Sequence, residues 1–108
     1  MVKYSLFPVT PNHLLIIPRR HFKKMTDMTT REWVHFLATK REVEEWYLGQ
    51  GIKAWVEGAN YGKDAGQSRE HFHYHYFDRV AGDVKDPRGG IRNFKPPIEE
   101  LGNYKDET

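Results

Sequence analysis

Four short segments of the chain show an apolar pattern typical of strands, and they surround one long helical segment. Residues 3–7 alternate weakly, and residues 14–17 are a short apolar run that ends before a proline. Residues 52–57 and 71–77 alternate with a period of two. Alternation and short apolar runs bounded by turn residues are typical of β-strands, so four strands are predicted.

Residues 29–48 are predicted to form the long helix. Thr29 and Glu32 fit a capping box, in which each side chain binds the backbone amide of the other residue. Gly49 is placed to end the helix in the left-handed conformation. Lys40 interrupts an otherwise apolar helix face. This predicted face consists of Trp33, Phe36, Leu37, Val43, Trp46 and Tyr47.

The order of these elements predicts the fold class. Two strands precede the helix and two follow it, and in residues 52–57 the apolar side chains Ile52, Ala54 and Val56 share one side. This order is typical of an α+β protein with an antiparallel sheet and one main helix on its face. The chain has 108 residues, so we expect a single domain over 1–108, with an irregular C-terminal tail over 78–108.

Composition changes this picture only slightly. An aromatic content of 14% favours a packed core over disorder. The formal net charge of +2 suits an anionic ligand, but it is too small to indicate a nucleic-acid partner. The absence of cysteine excludes a disulfide framework and a thiolate zinc cluster. The N-terminal residues lack an apolar run typical of a signal peptide or membrane span, so we expect a cytoplasmic protein without a membrane partner.

Three histidines, at positions 71, 73 and 75, stand out as candidate chemistry. On an extended chain, residues two apart share a face, so His71, His73 and His75 are expected to project together while Phe72 and its aromatic neighbours face the other layer. Three uses of such a row are open at this point. The rings can ligate a metal, they can supply nucleophilic and acid–base chemistry, or they can form a polar strand surface.

The loop before the histidines favours an anionic substrate over a metal. Gly66, Gln67 and Ser68 place backbone amides and side-chain donors directly ahead of the histidine strand, where they can approach a phosphate. A common barrel-type metal site would require a further histidine downstream, and no histidine follows His75. We therefore expect neither a metal nor another cofactor.

These residues together resemble the signature of the histidine triad (HIT) superfamily of nucleotide hydrolases and transferases. The upstream segment 7–21, with a turn and His13 leading into an apolar strand, resembles the same family, as do Gly82 and the segment 86–92. The matching signature residues are Asn60, Gly62, Ala65, Gly66, Gln67, Ser68, His71, His73 and His75.

The resemblance implies a role for each matching residue. His73 corresponds to the nucleophile, which attacks the α-phosphorus and forms a nucleotidyl–imidazole intermediate that water hydrolyses. His75 would bind the phosphate and help to protonate the leaving group, while His71 and His13 would orient His73. Because His75 is intact where transferases of the family usually have Gln, hydrolysis of a nucleoside phosphoramidate or dinucleoside polyphosphate is expected. The implied substrate contacts are Asn60, Gly66, Gln67, Ser68 and, for the ribose, Ser5.

The resemblance also implies a homodimer, formed by the long helix and its neighbouring strand. Three departures from the family pattern stand out. The family's N-terminal hairpin has no counterpart, Asn12 stands where many members have Gly in a left-handed turn, and Asp78 replaces a Pro, which is expected to alter only the strand exit. Two alternatives are a HIT-fold nucleotide-binding protein with slow or no turnover, and a metal-binding β-domain that uses the same histidines.

Overall fold

Four short strands form one antiparallel sheet in the computed structural model, which describes residues 1–67, 70–88 and 91. The strands are β1 (Val2–Tyr4), β2 (Leu14–Ile16), β3 (Ala54–Gly58) and β4 (Tyr74–Arg79), and they lie in the order β1-β2-β4-β3. All three neighbouring pairs are antiparallel. The predicted α+β class, an antiparallel sheet with one main helix, is confirmed.

The long helix, α1, spans Thr30–Gly49 and begins where the sequence predicts. The hydroxyl of Thr29 accepts from the Glu32 amide at 3.2 Å, and the Glu32 carboxylate accepts from the Thr29 amide at 2.8 Å. The predicted left-handed end at Gly49 is wrong. Gly51 has the positive φ, 81°, and this turn brings the Ile52 amide to the Tyr47 carbonyl, to which it donates at 2.9 Å.

The helix face that packs on the sheet is narrower than predicted. Phe36, Val43 and Tyr47 are buried there, whereas Trp33 and Leu37 are 41% and 53% exposed and Trp46 lies at the edge with 37% exposed. The sheet contacts residues spaced along a single line of the helix, so the predicted face is only half correct.

Lys40 belongs to this sheet-facing line and does not interrupt it. Its ammonium group forms an ion pair with Glu57 and a 3.2 Å hydrogen bond with the Tyr74 hydroxyl. Glu57 also accepts from Tyr74 at 2.6 Å and from the Trp55 indole at 3.1 Å. These bonds compensate for the half-buried charges. Trp55 and Glu57 lie opposite Asp78 and Tyr76 and so face the helix, whereas Ala54 faces away from it.

The predicted boundaries of the other elements shift by a few residues. β1 ends at Tyr4 rather than at residue 7, because its partner β2 offers only three residues for pairing. β4 begins at Tyr74, so His71 and His73 lie just before the strand rather than in it. It ends at Arg79, two residues into the segment expected to be irregular. Most of the predicted tail lies outside the described residues. The single domain over 1–108 with an irregular tail therefore stays a prediction.

The alternation predicted from position 72 onward is present in the structure. Phe72, Tyr74 and Tyr76 are buried in the core beneath α1, although Phe72 precedes the strand. The histidines between them face the opposite side of the sheet. The register pairs Lys3 with Leu15 and Leu15 with His75, so these three residues form a row across that second face.

Replacing Phe72 with alanine is expected to destabilise the protein. The ring is 1% exposed and contacts the rings of Phe22, Phe36 and Tyr61, so its loss leaves a cavity. We expect the free energy of unfolding in urea to fall by about 3–5 kcal/mol. The matched substitution Phe7→Ala, at a ring that is 83% exposed, should change it by less than ~0.5 kcal/mol. Equal losses in the two variants would contradict this assignment of the core.

Candidate active site

A cleft lies on the sheet face opposite α1, and its cavity volume is about 270 Å³. It reaches from β1 across the histidine segment to the loop after β3. Eight of the nine predicted site residues line it, and the ninth, Ser68, lies outside the described residues. The eight are Ser5, His13, Asn60, Gly66, Gln67, His71, His73 and His75.

Sequence reasoning missed four residues of this cleft. Leu6, Phe7 and Leu15 form an apolar wall of the cleft, and Lys3 supplies a positive charge at its β1 end. The spacing of Lys3 and Ser5, two residues apart in a predicted strand, was a signal that they share a face. Among the described residues that line the cleft there is no carboxylate, so the cleft suits an anion.

The backbone fixes the tautomer of His73. Its Nδ1 lies within hydrogen-bonding distance of the His71 carbonyl oxygen, which can only accept, so Nδ1 carries the proton. In the neutral ring Nε2 then keeps its lone pair. A neutral imidazole in this tautomer is ready to act as a nucleophile through Nε2.

His71 is held by the segment after β2. Its Nε2–H donates to the Pro18 carbonyl at 2.9 Å, and its ring stacks on the ring of His21 with 4.1 Å between centroids. Burial, assisted by the nearby His21, lowers the pKa of His71. His71 therefore presents its carbonyl to His73 from a fixed position.

A second hydrogen-bond chain determines the tautomers of His13 and His75. The Val9 amide donates to Nδ1 of His13 at 3.4 Å, so the proton of His13 lies on Nε2. That Nε2–H donates to Nδ1 of His75 at 3.0 Å. Because Nδ1 of His75 accepts this bond, the single N–H of its neutral ring lies on Nε2. This Nε2–H can donate a hydrogen bond to a bound group.

Burial keeps this histidine pair neutral. Burial, with the positive charges that His13 and His73 can carry, lowers the pKa of His75 to about 4. Burial also lowers the pKa of His13, although the carboxylate of Asp78 partly offsets the effect. Both rings are therefore neutral near pH 7, which the chain of donors and acceptors requires.

The loop after β3 is shaped by two glycines. Gly62 and Gly66 have φ values of 82° and 92°, a region that favours residues without a Cβ, and they flank a 3₁₀ turn over Lys63–Ala65. The Gly66 amide donates to the Lys63 carbonyl and the Gln67 amide to the Gly62 carbonyl, each at 3.0 Å. These two amides are therefore engaged within the loop in this structure.

The side chains of Asn60 and Gln67 also help to hold the loop together. Asn60 Nδ2 donates to the Ala65 carbonyl at 2.7 Å, and Gln67 Oε1 accepts from the Gly62 amide at 2.8 Å. The atoms left for a ligand are Oδ1 of Asn60, an acceptor, and Nε2 of Gln67, a donor. Asn60 Oδ1 thus suits a hydroxyl, while Gln67 Nε2 suits a phosphate oxygen.

The described residues contain no group of three His, Cys, Asp or Glu side chains arranged to hold one metal ion. Several ring nitrogens of the histidine row are instead engaged by protein atoms, as shown above. Within the same part of the chain, no helix has both the length and the apolar character needed to cross a bilayer.

Comparison with known proteins places this chain in a family. The chain matches the HIT domain family model over residues 1–81. The bis(5'-adenosyl)-triphosphatase of Dictyostelium discoideum is 34% identical over 86 residues, which cover 76% of this chain and 56% of that protein. An uncharacterised HIT-like protein of Saccharolobus solfataricus is 32% identical over 102 residues, covering 91% and 68%.

A solved structure agrees with these sequence matches. The crystal structure of the Caenorhabditis elegans NitFhit protein superposes with a TM-score of 0.68 at 32% identity, over 79% of this chain and 21% of that one. The α+β architecture is therefore that of HIT-domain proteins. The chain is a member of the HIT domain family, and it spans about half the length of the Dictyostelium relative.

The lowered pKa of His75 predicts a loss of stability in acid. The unfolded state takes up a proton near pH ~6.5, whereas the folded state takes it up only near pH 4, so acid favours unfolding between these values. We expect the free energy of unfolding in urea to fall by ~1 kcal/mol or more from pH 7 to pH 5.

The variant His75→Gln provides the control for this pH dependence. Glutamine cannot be protonated in this range, so the slope between pH 7 and pH 5 should become shallower. It should not vanish, because burial also lowers the pKa values of His13 and His71. An unchanged slope in His75→Gln would show that His75 is not the main group involved.

Proposed function

We propose that this protein hydrolyses a nucleotide substrate at its α-phosphorus, through a nucleotidyl intermediate on His73. One observation carries the proposal. The Nδ1 proton of His73 is directed to the His71 carbonyl, which leaves Nε2 as a nucleophile in a cleft that has a lysine and no carboxylate among its described lining residues. Nucleophilic attack by a neutral imidazole on a phosphoanhydride needs this combination.

The proposed reaction has two steps. In the first, Nε2 of His73 attacks the α-phosphorus, a P–N bond forms, and the bond to the leaving group breaks. Nε2–H of His75 hydrogen-bonds the departing atom, and the leaving group takes up a proton from solvent, because the His75 ring is itself neutral. In the second step, water attacks the same phosphorus, the P–N bond breaks, and a nucleoside monophosphate leaves. Gln67 and Ser68 would donate to the phosphate oxygens in both steps, and positioning supplies most of the catalysis.

The ends of the cleft suit the rest of a nucleotide. At the β1 end, Leu6, Phe7 and Leu15 offer apolar surface for a base, and the hydroxyl of Ser5 offers a partner for a ribose hydroxyl. At the opposite end, Oδ1 of Asn60 offers an acceptor for another hydroxyl of the substrate. Lys3 offers a cation for further phosphates. The name of the Dictyostelium relative indicates a dinucleoside polyphosphate as the substrate class, and a nucleoside phosphoramidate is the second class that we propose. No metal or cofactor takes part in this proposal.

The variant His73→Ala tests the nucleophile. We expect the wild type to hydrolyse diadenosine triphosphate, diadenosine tetraphosphate or a fluorogenic adenosine phosphoramidate, and His73→Ala to lower kcat by about 10³-fold or more. Wild-type protein quenched during turnover at neutral pH should carry a nucleotide adduct on the peptide that contains His73, detected by mass spectrometry.

The matched control is His35→Ala, because His35 is an exposed histidine on α1 outside the cleft. It should keep wild-type kcat. Turnover that persists in His73→Ala would rule out the proposed nucleophile. Tight binding of adenosine monophosphate without turnover of any of the three substrates would support the alternative, a nucleotide-binding protein.

We also propose that the protein is a cytoplasmic homodimer. Trp33, Val34 and Leu37 lie together near the start of α1 and are 41%, 64% and 53% exposed. The outer edge of β3 is unpaired in the part of the chain that the structure describes. Exposed apolar side chains and a free strand edge are each typical of a surface that a second copy covers.

Sedimentation tests the dimer. At micromolar concentration the wild type should sediment with twice the mass of the chain, and Leu37→Glu should shift it to the monomer because a charge is then buried in the interface. Val80→Glu, at a residue that is 67% exposed beyond β4, is the control and should leave the mass unchanged. A monomeric wild type would refute this part of the proposal.

A further inference from the structure

A buried carboxylate lies directly behind the histidine pair. Asp78 is 6% exposed and His13 is 5% exposed, and they are the two polar residues buried in the part of the chain described here. Asp78 points to the α1 side of β4 and does not line the cleft. A buried carboxylate is costly unless it accepts hydrogen bonds, so its partners indicate its role.

The partners of Asp78 belong to the turn that carries His13. Continuing the register of β2 and β4 by two residues places Asn12 opposite Asp78. Asp78 accepts from the Asn12 amide at 2.8 Å and from Asn12 Nδ2 at 3.2 Å. Burial alone would raise the pKa of Asp78, but these bonds and the neighbouring Thr10 hydroxyl hold it below its ordinary value. The carboxylate therefore stays ionised as an acceptor near pH 7.

A third hydrogen bond holds Asn12 from the other side. The hydroxyl of Tyr47, on α1, donates to the Asn12 carbonyl at 2.6 Å. The amide, the carbonyl and the side chain of Asn12 are thus all bound to the core. Asn12 does not adopt the left-handed conformation expected from its place in the turn, since no described residue other than glycine has a positive φ.

Most of the segment that leads into this turn is exposed. Leu6, Phe7 and Val9 are 74%, 83% and 73% exposed, so the segment before His13 has almost no packing. The hydrogen bond from the Val9 amide to His13 is long at 3.4 Å. Asn12 ties the turn on the N-terminal side of His13 to the core. On its other side His13 is held by β2, by the Ser5 amide, which donates to its carbonyl at 2.9 Å, and by the Phe77 ring, whose centroid lies 4.3 Å from its own.

We propose that Asp78 is a positioning residue, which binds Asn12 and thereby holds His13 in hydrogen-bonding contact with His75. His13 in turn fixes the proton of His75 on Nε2, where it faces the substrate. Asp78 acts through these residues and touches no substrate itself. The inference rests on the proposed function, because the proton on His75 matters for the leaving group of that reaction.

Two of the three departures from the family pattern, Asn12 and Asp78, support this assignment, because they contact each other. Proline at position 78 has no side-chain acceptor, and glycine at position 12 has no side-chain amide. The side-chain bond between Asn12 and Asp78 therefore depends on having both of the unusual residues. The expectation that Asp78 alters only the exit of β4 is wrong, since its carboxylate binds the turn before β2.

The experiment compares three variants. Asp78→Ala removes both acceptors. Asp78→Asn keeps an acceptor for the Asn12 amide, and rotation of the Asn12 side-chain amide can restore the second bond, so only the charge is lost. Asp83→Asn is the control, because Asp83 lies five residues further on and pairs with Arg79 in an exposed ion pair.

The first measurement uses the ¹⁵N chemical shifts of the imidazole rings and needs no substrate. In the wild type, His13 and His75 should each carry their proton on Nε2. Asp78→Ala should lose this single tautomer and give averaged shifts for both rings, while Asp78→Asn and Asp83→Asn should match the wild type. Wild-type shifts in Asp78→Ala would overturn the proposal, whatever the protein hydrolyses.

The second measurement uses turnover. Asp78→Ala should lower kcat by about 10- to 100-fold with KM within about threefold, because a displaced catalytic ring affects the reaction more than binding. Asp78→Asn should recover kcat to within about threefold of the wild type. A kcat for Asp78→Asn as low as that for Asp78→Ala would refute positioning by hydrogen bonds.

A fourth variant covers the case in which Asp78→Ala does not fold. Asn12→Ala removes only the 3.2 Å side-chain bond and keeps the backbone bond to Asp78. It should shift the ¹⁵N signals of His13 and His75 toward averaged values and lower kcat by a few-fold. If shifts and kcat both stay at wild-type values, the proposal is wrong. If no substrate is turned over by any variant while the shifts change as stated, the proposed function fails and the positioning by Asp78 stands.

Discussion

Residues 71–76 place their side chains alternately in the core and in the cleft, because successive side chains of an extended chain point to opposite sides. Phe72, Tyr74 and Tyr76 are buried beneath the helix, and this burial holds the segment at a fixed height in the fold. The three histidines, which alternate with these aromatic residues, therefore face the other side. The stability of the core and the alignment of the candidate active site therefore depend on the same few residues, and a shift of one position would exchange their roles.

Backbone carbonyls and amides, more than other side chains, decide the state of the histidines. The Pro18 and His71 carbonyls accept from His71 and His73, and the Val9 amide donates to His13. These groups cannot change their donor or acceptor character, so each ring has one favoured tautomer. Burial lowers the pKa of His75 and keeps the chain neutral. A site built in this way needs no charged side chain next to the nucleophile.

Much of the fold followed from local patterns, and the errors have physical reasons. The capping box located the start of α1, and alternation identified the histidine face before any coordinates. The exposed positions of Trp33 and Leu37 could not be predicted, because the sheet covers a narrow line of the helix and periodicity does not give that width. Lys40 was predicted to interrupt the apolar face, because periodicity does not reveal the partner of a charge. Its partner Glu57 is 17 residues away, and only the packing of α1 on β3 brings them together.

The sequence by itself determined the α+β class, the histidine row and the residues that line most of the cleft, since these depend on spacing along one segment or on a family signature. Only the tertiary structure decided which atoms of those residues are left for chemistry. The contacts of His13 with His75 and of Asn12 with Asp78 join residues 62 and 66 positions apart. Such contacts depend on how β2 pairs with β4, and no local pattern in the chain specifies that pairing.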